Sequence, residues 1–222
     1  METPAHRVQL VQAESAQLAH DLHALPPEAW RRPSACDRWE VRDVVGHLIL
    51  GAELYQSVIS RGLQGNTAPL EGFPQAGTVN AASAAPLFDQ MSVARRESLG
   101  DQLLSTFTAT SDQLHQILAR CGPQDWETLC YHPAGVLPVR LFVALRLSEL
   151  VMHGWDIRSR LEPDAHLGPA GGKLRPDLIK GSRLSVPTFG TGNIVGKWPF
   201  KSPFWPLKPK IIPVPSEVGN RC

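Results

Sequence analysis

A chain of 222 residues carrying a net charge of +1 is long enough to bury a full core, which removes the need for a disulfide scaffold. The four cysteines, Cys36, Cys121, Cys130 and Cys222, form no Cys-x-x-Cys pair, so they predict neither a structural zinc knuckle nor an oxidising compartment, and a reducing cytoplasm is the expected location. No stretch reaches the roughly 18 uninterrupted apolar residues of a membrane span and the amino-terminal residues 1–12 are polar, so no membrane partner is expected.

The first predicted element is an amphipathic helix between Pro4 and Leu25, where Val8, Leu10, Val11, Leu18 and Leu22 recur at threes and fours before Pro26-Pro27 ends the pattern. A second helix is predicted from near Glu40 to about Ile59. Asp43 lies in its first turn, where a carboxylate complements the positive helix end. The glycine- and proline-containing region from Gly62 to Gly77 closes it. Ala81 to Ala94 is a weaker helical stretch that Pro86 is expected to interrupt. The third long helix is predicted from Leu99 to Ala119, stopped by Gly122-Pro123. Trp126 to Leu137 reads as a loop with a short extended piece, and Pro138 suits the first turn of a fourth long helix running to about Arg160. Four long helices without a hairpin signal predict an all-α fold, an up-and-down four-helix bundle over residues 1–167.

From residue 168 to 222 the character of the sequence changes. Nine of the 20 prolines fall there, with nine lysines and arginines against Asp177 and Glu217. The surplus of seven positive charges leaves the preceding body acidic. No run between these prolines is long enough for a stable helix, and the expectation is an irregular or disordered, proline-rich basic tail, with a small β-rich appendage as the alternative.

The chemistry concentrates in Ser148-Glu149-Leu150-Val151-Met152-His153-Gly154-Trp155-Asp156-Ile157-Arg158. Residues four apart share a helix face, so Glu149 and His153 can present a carboxylate and an imidazole to one cation. Both lie within an apolar helix, where burial is costly unless a partner is present. His47, in another apolar helix, is the third candidate ligand. A Glu-x-x-x-His pair by itself is weak, because a plain hydrogen bond between helix neighbours explains it as well. Asp156 is either a hydrogen-bond acceptor that fixes the tautomer of His153 or a surface partner of Arg158 or Arg160. Trp39 and Trp155 are expected in packing roles. Cys36 has no histidine beside it in sequence and is expected to be a buried structural thiol.

Pro33-x-x-Cys36 followed by Trp39-x-Val41-x-Asp43-Val44-x-x-His47-Leu48, and then Glu149-Leu150-x-x-His153-Gly154-Trp155-Asp156-Ile157-Arg158, resemble the two signature segments of the mycothiol-dependent maleylpyruvate isomerase family, within the DinB-like four-helix superfamily. The resemblance covers about residues 5–167. It implies a divalent metal, usually zinc, held by His47, Glu149 and His153, and mycothiol or another low-molecular-weight thiol as co-substrate. The implied chemistry is activation of that thiol, or of water, for attack on an electrophilic small molecule, with S-transfer or isomerisation as the result. The family's α/β carboxy-terminal domain is not recognisable after residue 167, where it is read as missing or replaced. A non-catalytic metal-binding bundle, acting as a regulator or a truncated remnant, is the competing expectation. Nucleic-acid binding through the basic tail ranks last, since its charges are interleaved with prolines and no binding motif is present. A homodimer is left open.

Overall fold

A computed structural model describes residues 3–36, 39–79, 81–162, 165, 168 and 170. Helix α1 spans Pro4–His23. It starts where the Thr3 hydroxyl accepts the His6 backbone N–H at 3.2 Å, with Pro4 in the first turn, where its missing N–H costs nothing. Helix α2 spans Val41–Leu63. The Asp43 carboxylate accepts the Glu40 backbone N–H at 2.9 Å, which satisfies an orphan donor at the helix start. Helix α3 spans Ala81–Leu99, α4 Leu103–Ala119 and α5 Val139–Arg158.

Helix α3 departs from the expectation of an interruption, because Pro86 lies inside one continuous helix. A proline this near the amino-terminal end removes a single ladder bond, and the long remainder of the helix outweighs that loss. The predicted third long helix is shortened for the opposite reason. Gly100 takes φ +52° and starts a 3-10 turn, Gly100–Gln102, so Leu99 closes α3 and α4 begins at Leu103. The absence of a hairpin is also corrected: β1, Leu129–Cys130, pairs antiparallel with β2, Leu137–Pro138. Two residues per strand is too short for an alternating pattern to register in the sequence.

The described chain is mostly helical. Helix α1 packs on α4 and α5, and α2 packs on α3, α4 and α5. Along α4 the buried residues Leu103, Phe107, Thr110, Leu114 and Leu118 fall on one stripe. Helix α5 differs, with Leu141, Phe142, Val143, Ala144, Leu145 and Leu147 all buried, as expected of a helix covered on every side. Polar side chains on α5 are therefore forced to find partners inside the molecule. The expected tail lies outside the described residues apart from Gly168 and Ala170. Ala170 is fully buried, and its backbone N–H donates to the Glu14 carboxylate of α1. No described helix is long and apolar enough to cross a membrane.

Candidate metal centre

Helices α2 and α5 run antiparallel where they meet. His47 faces His153, with ring centroids 4.9 Å apart and planes at 77°. One turn further along α2 and one turn back along α5, Gly51 faces Glu149. A Cβ at residue 51 would stand 3.4 Å from Glu149 Oε2 and 3.6 Å from Arg146 Nη1. The missing side chain at Gly51 is thus the space into which the carboxylate projects.

Hydrogen bonds fix the tautomers of both imidazoles. The Ser92 hydroxyl donates to the Phe88 carbonyl at 2.7 Å, so toward His47 Nδ1, 3.3 Å away, it offers a lone pair. Nδ1 of His47 therefore carries the proton and Nε2 the lone pair. His153 Nδ1 lies 2.9 Å from Asp156 Oδ2, and a carboxylate there calls for a proton on the same nitrogen. Burial, with His153 and Arg146 nearby, pushes the pKa of His47 well below the ordinary imidazole value. A divalent cation requires a neutral imidazole with a free ring-nitrogen lone pair, and here that lone pair is on Nε2. Ser92 reaches His47 because Gly46 lets α3 come close: a Cβ there would lie 2.8 Å from Arg96 Cβ and 2.9 Å from the Ser92 carbonyl. Trp39, buried, packs its ring on His47 at 5.2 Å.

Glu149 is held by two neighbours. The Tyr55 hydroxyl donates to Oε1 at 2.7 Å, and Arg146 Nη1 lies 3.4 Å from Oε2 while donating to the Leu48 carbonyl at 2.9 Å. Arg146 is 1 % exposed, and among the described residues its Nε and Nη2 have no hydrogen-bond partner. Burial lowers its pKa and Glu149 counteracts that. The Tyr55 hydroxyl is raised well above its ordinary value by burial and by Glu149. Each carboxylate oxygen keeps a further lone pair beyond these contacts. Two imidazoles and a carboxylate form a donor set that accepts zinc and several other divalent ions, so the residues present fit the group by their chemistry.

Asp156 bonds His153, and Arg158 turns instead to Asp21 of α1 at 2.9 Å. Among the described residues the metal-ligating atoms that all come within 4.8 Å of one another are those of Cys36, His153 and Asp156; the structure pairs the rings of His47 and His153 but does not bring the ligating atoms of His47, Glu149 and His153 within that distance of one another. Cys36 has no histidine beside it in sequence, yet the fold brings one to it, and the thiol expected to be buried is half-buried. Its Sγ donates to Asp156 Oδ2 at 2.9 Å and lies 3.7 Å from His153 Nδ1. The backbone N–H of Ala35, on the Asp156 carbonyl at 2.9 Å, ties its loop to α5. Sequence reading also passed over Tyr55, Ser92 and Arg146. Arg146 left a signal, a lone cation in the apolar run Leu141-Phe142-Val143-Ala144-Leu145-Arg146-Leu147. His20 and His23 are exposed, whereas His132 is buried. Burial lowers its pKa to about 4.

Fold and site together define a mostly helical domain with an imidazole and carboxylate seam between two antiparallel helices. Residues 11–158 match the family of the Mycothiol maleylpyruvate isomerase N-terminal domain, and the chain belongs to that family. Among solved structures it is similar to the mycothiol-dependent maleylpyruvate isomerase and to a histidine-to-alanine mutant of that name. Each shares 13 % identity at a TM-score of 0.58, over 70 % of this chain and 60 % of the other. At that identity the likeness is one of fold, and the chain spans about 60 % of the length of these relatives. No curated protein matches the chain by sequence.

Proposed function

We propose that the protein is a divalent-metal-binding, thiol-dependent isomerase or thiol S-transferase, with α1, α2, α4 and α5 as an up-and-down, DinB-like four-helix bundle. The ligands are His47, Glu149 and His153, the ion is zinc, and mycothiol or another small thiol is the co-substrate. The antiparallel register that sets His47 against His153 and Gly51 against Glu149 carries this reading. A divalent ion bound there would lower the pKa of a thiol or water brought to it, so that the anion is available near neutral pH. The chain's own groups do the rest. Ser92 and Asp156 hold the Nδ1 protons of His47 and His153 and so orient both Nε2 lone pairs. Tyr55 and Arg146 keep Glu149 pointed at the seam. Trp39 shields the His47 ring from solvent.

Purified protein should contain about one zinc per chain, as expected of a three-ligand site, and His47→Ala and Glu149→Ala should each lose it. Undiminished zinc in both variants would refute the ligand assignment. A screen for conjugation of mycothiol or a simpler thiol to electrophiles, with and without chelator, then tests catalysis. The competing reading is a metal-binding bundle without catalysis. Zinc content without any chelator-sensitive conjugation would select it.

A further inference from the structure

We propose a second, thiolate-containing metal position on the opposite side of His153, made by Cys36 Sγ, His153 Nδ1 and one Asp156 carboxylate oxygen, suited to thiophilic divalent ions. It shares His153 with the ligand set proposed above but needs neither His47 nor Glu149. The three atoms come from two segments that the fold locks together, since Ala35 donates to the backbone of Asp156 and the Cys36 N–H donates to Ser34 Oγ at 3.1 Å. The donor set is therefore built in advance.

The spacing is near that of a coordination shell. For a tetrahedral ion with bonds of about 2.3 Å to sulfur and about 2.0 Å to nitrogen, those two atoms stand about 3.5 Å apart, and here they are 3.7 Å apart. The carboxylate oxygen is 2.9 Å from each, a hydrogen-bond distance, so it need withdraw by only about half an ångström to complete a shell at ordinary bond lengths. Solvent supplies the remaining position. Binding replaces the Cys36 S–H proton and the His153 Nδ1 proton; the first leaves to solvent and the second moves to Nε2. With Nε2 protonated, His153 no longer serves the set that includes His47, so one ion occupies one position or the other. A thiolate favours soft ions, which makes Cys36 the group that selects between the two.

Cadmium added to chelator-treated full-length protein tests this through the ultraviolet thiolate-to-cadmium charge-transfer band. His47→Ala, in which the first ligand set is broken, should show the band and saturate at about one ion per chain, the capacity of a single shell. Adding Cys36→Ser to His47→Ala should abolish it, although the serine hydroxyl can still donate to Asp156. Asp156→Asn should weaken cadmium binding at least about tenfold, as loss of one ligand commonly does. A folded His47→Ala variant without the band overturns the proposal, as does a band that survives Cys36→Ser, which would report the other thiols. Should His47→Ala fail to fold, Glu149→Gln carries the same two criteria. Loss of zinc from the first set with the band retained separates failure of one position from failure of the other.

Discussion

Helix α5 buries two arginines, and what surrounds them differs. Arg146 faces α2, beside Glu149, Tyr55 and the ring pair. Arg158 faces α1, where it donates to Asp21, with Glu14 nearby. Each lies over a glycine, since a Cβ at residue 51 would come 3.6 Å from Arg146 Nη1 and one at residue 154 would come 3.2 Å from the Arg158 guanidinium. The same device of a missing side chain opposite a buried cation thus serves two ends. Next to candidate metal ligands it orients a carboxylate, and between α1 and α5 it fastens two helices.

Removing the arginines should separate these roles most sharply. Breaking a buried pair strands its partner charge, and Arg146→Ala should cost about 3 kcal/mol of unfolding free energy, near the low end of the range because Glu149 retains some contact with water. Arg158→Ala should cost about 1–2 kcal/mol, since Arg158 is itself more exposed than Arg146. Urea titrations of both variants measure this, and equal losses would erase the distinction. Zinc content should follow Arg146 and ignore Arg158.

The glycines give a smaller and more selective effect. Alanine in a helix interior gains about 1 kcal/mol over glycine. At residue 154 that gain is offset by pushing aside the tip of the Arg158 side chain, so Gly154→Ala should change stability by less than about 1 kcal/mol. Gly51→Ala should be similarly mild in stability but should lower zinc affinity about tenfold, because the new methyl group crowds Glu149. Equal zinc affinity in Gly51→Ala and the parent protein, by competition with a chromogenic chelator, would show that the space opposite Glu149 is not part of the site.

Glu14 supplies the smallest effect. Burial is the main influence and raises its pKa above 4.5, against the lowering influence of the Ala170 N–H and Arg158. The folded state then holds its proton more tightly than the unfolded chain. Its contribution to stability is greatest at low pH and falls as pH rises from the unfolded value near 4.5 through the raised folded value. Glu14→Gln, which keeps an acceptor for the Ala170 N–H, should be at least as stable as the parent at pH 7 and should flatten this part of the stability profile. A profile identical to that of the parent would show that Glu14 does not titrate in the fold.

Much of the scaffold could be read without coordinates. The three-four periodicities of α1 and α4, and the spacing of Glu149 and His153, are local, because one turn of helix already decides which side chains share a face. Asp43 was legible as a first-turn carboxylate for the same reason. What escaped was non-local or too short: the two-residue strands, the tolerance of α3 for Pro86, and the break at Gly100.

The sequence alone determined the helices, the carboxylate and imidazole on one face of α5, and the family that the paired segments resemble. Only the tertiary structure decided that Cys36 would meet His153 across 117 residues of chain, that Gly51 would make room for Glu149, and that Arg146 would face that carboxylate. Helical periodicity is written residue by residue, whereas the register between α2 and α5 depends on how two packed surfaces interlock. A side chain's partner across that interface is therefore set by the fold as a whole.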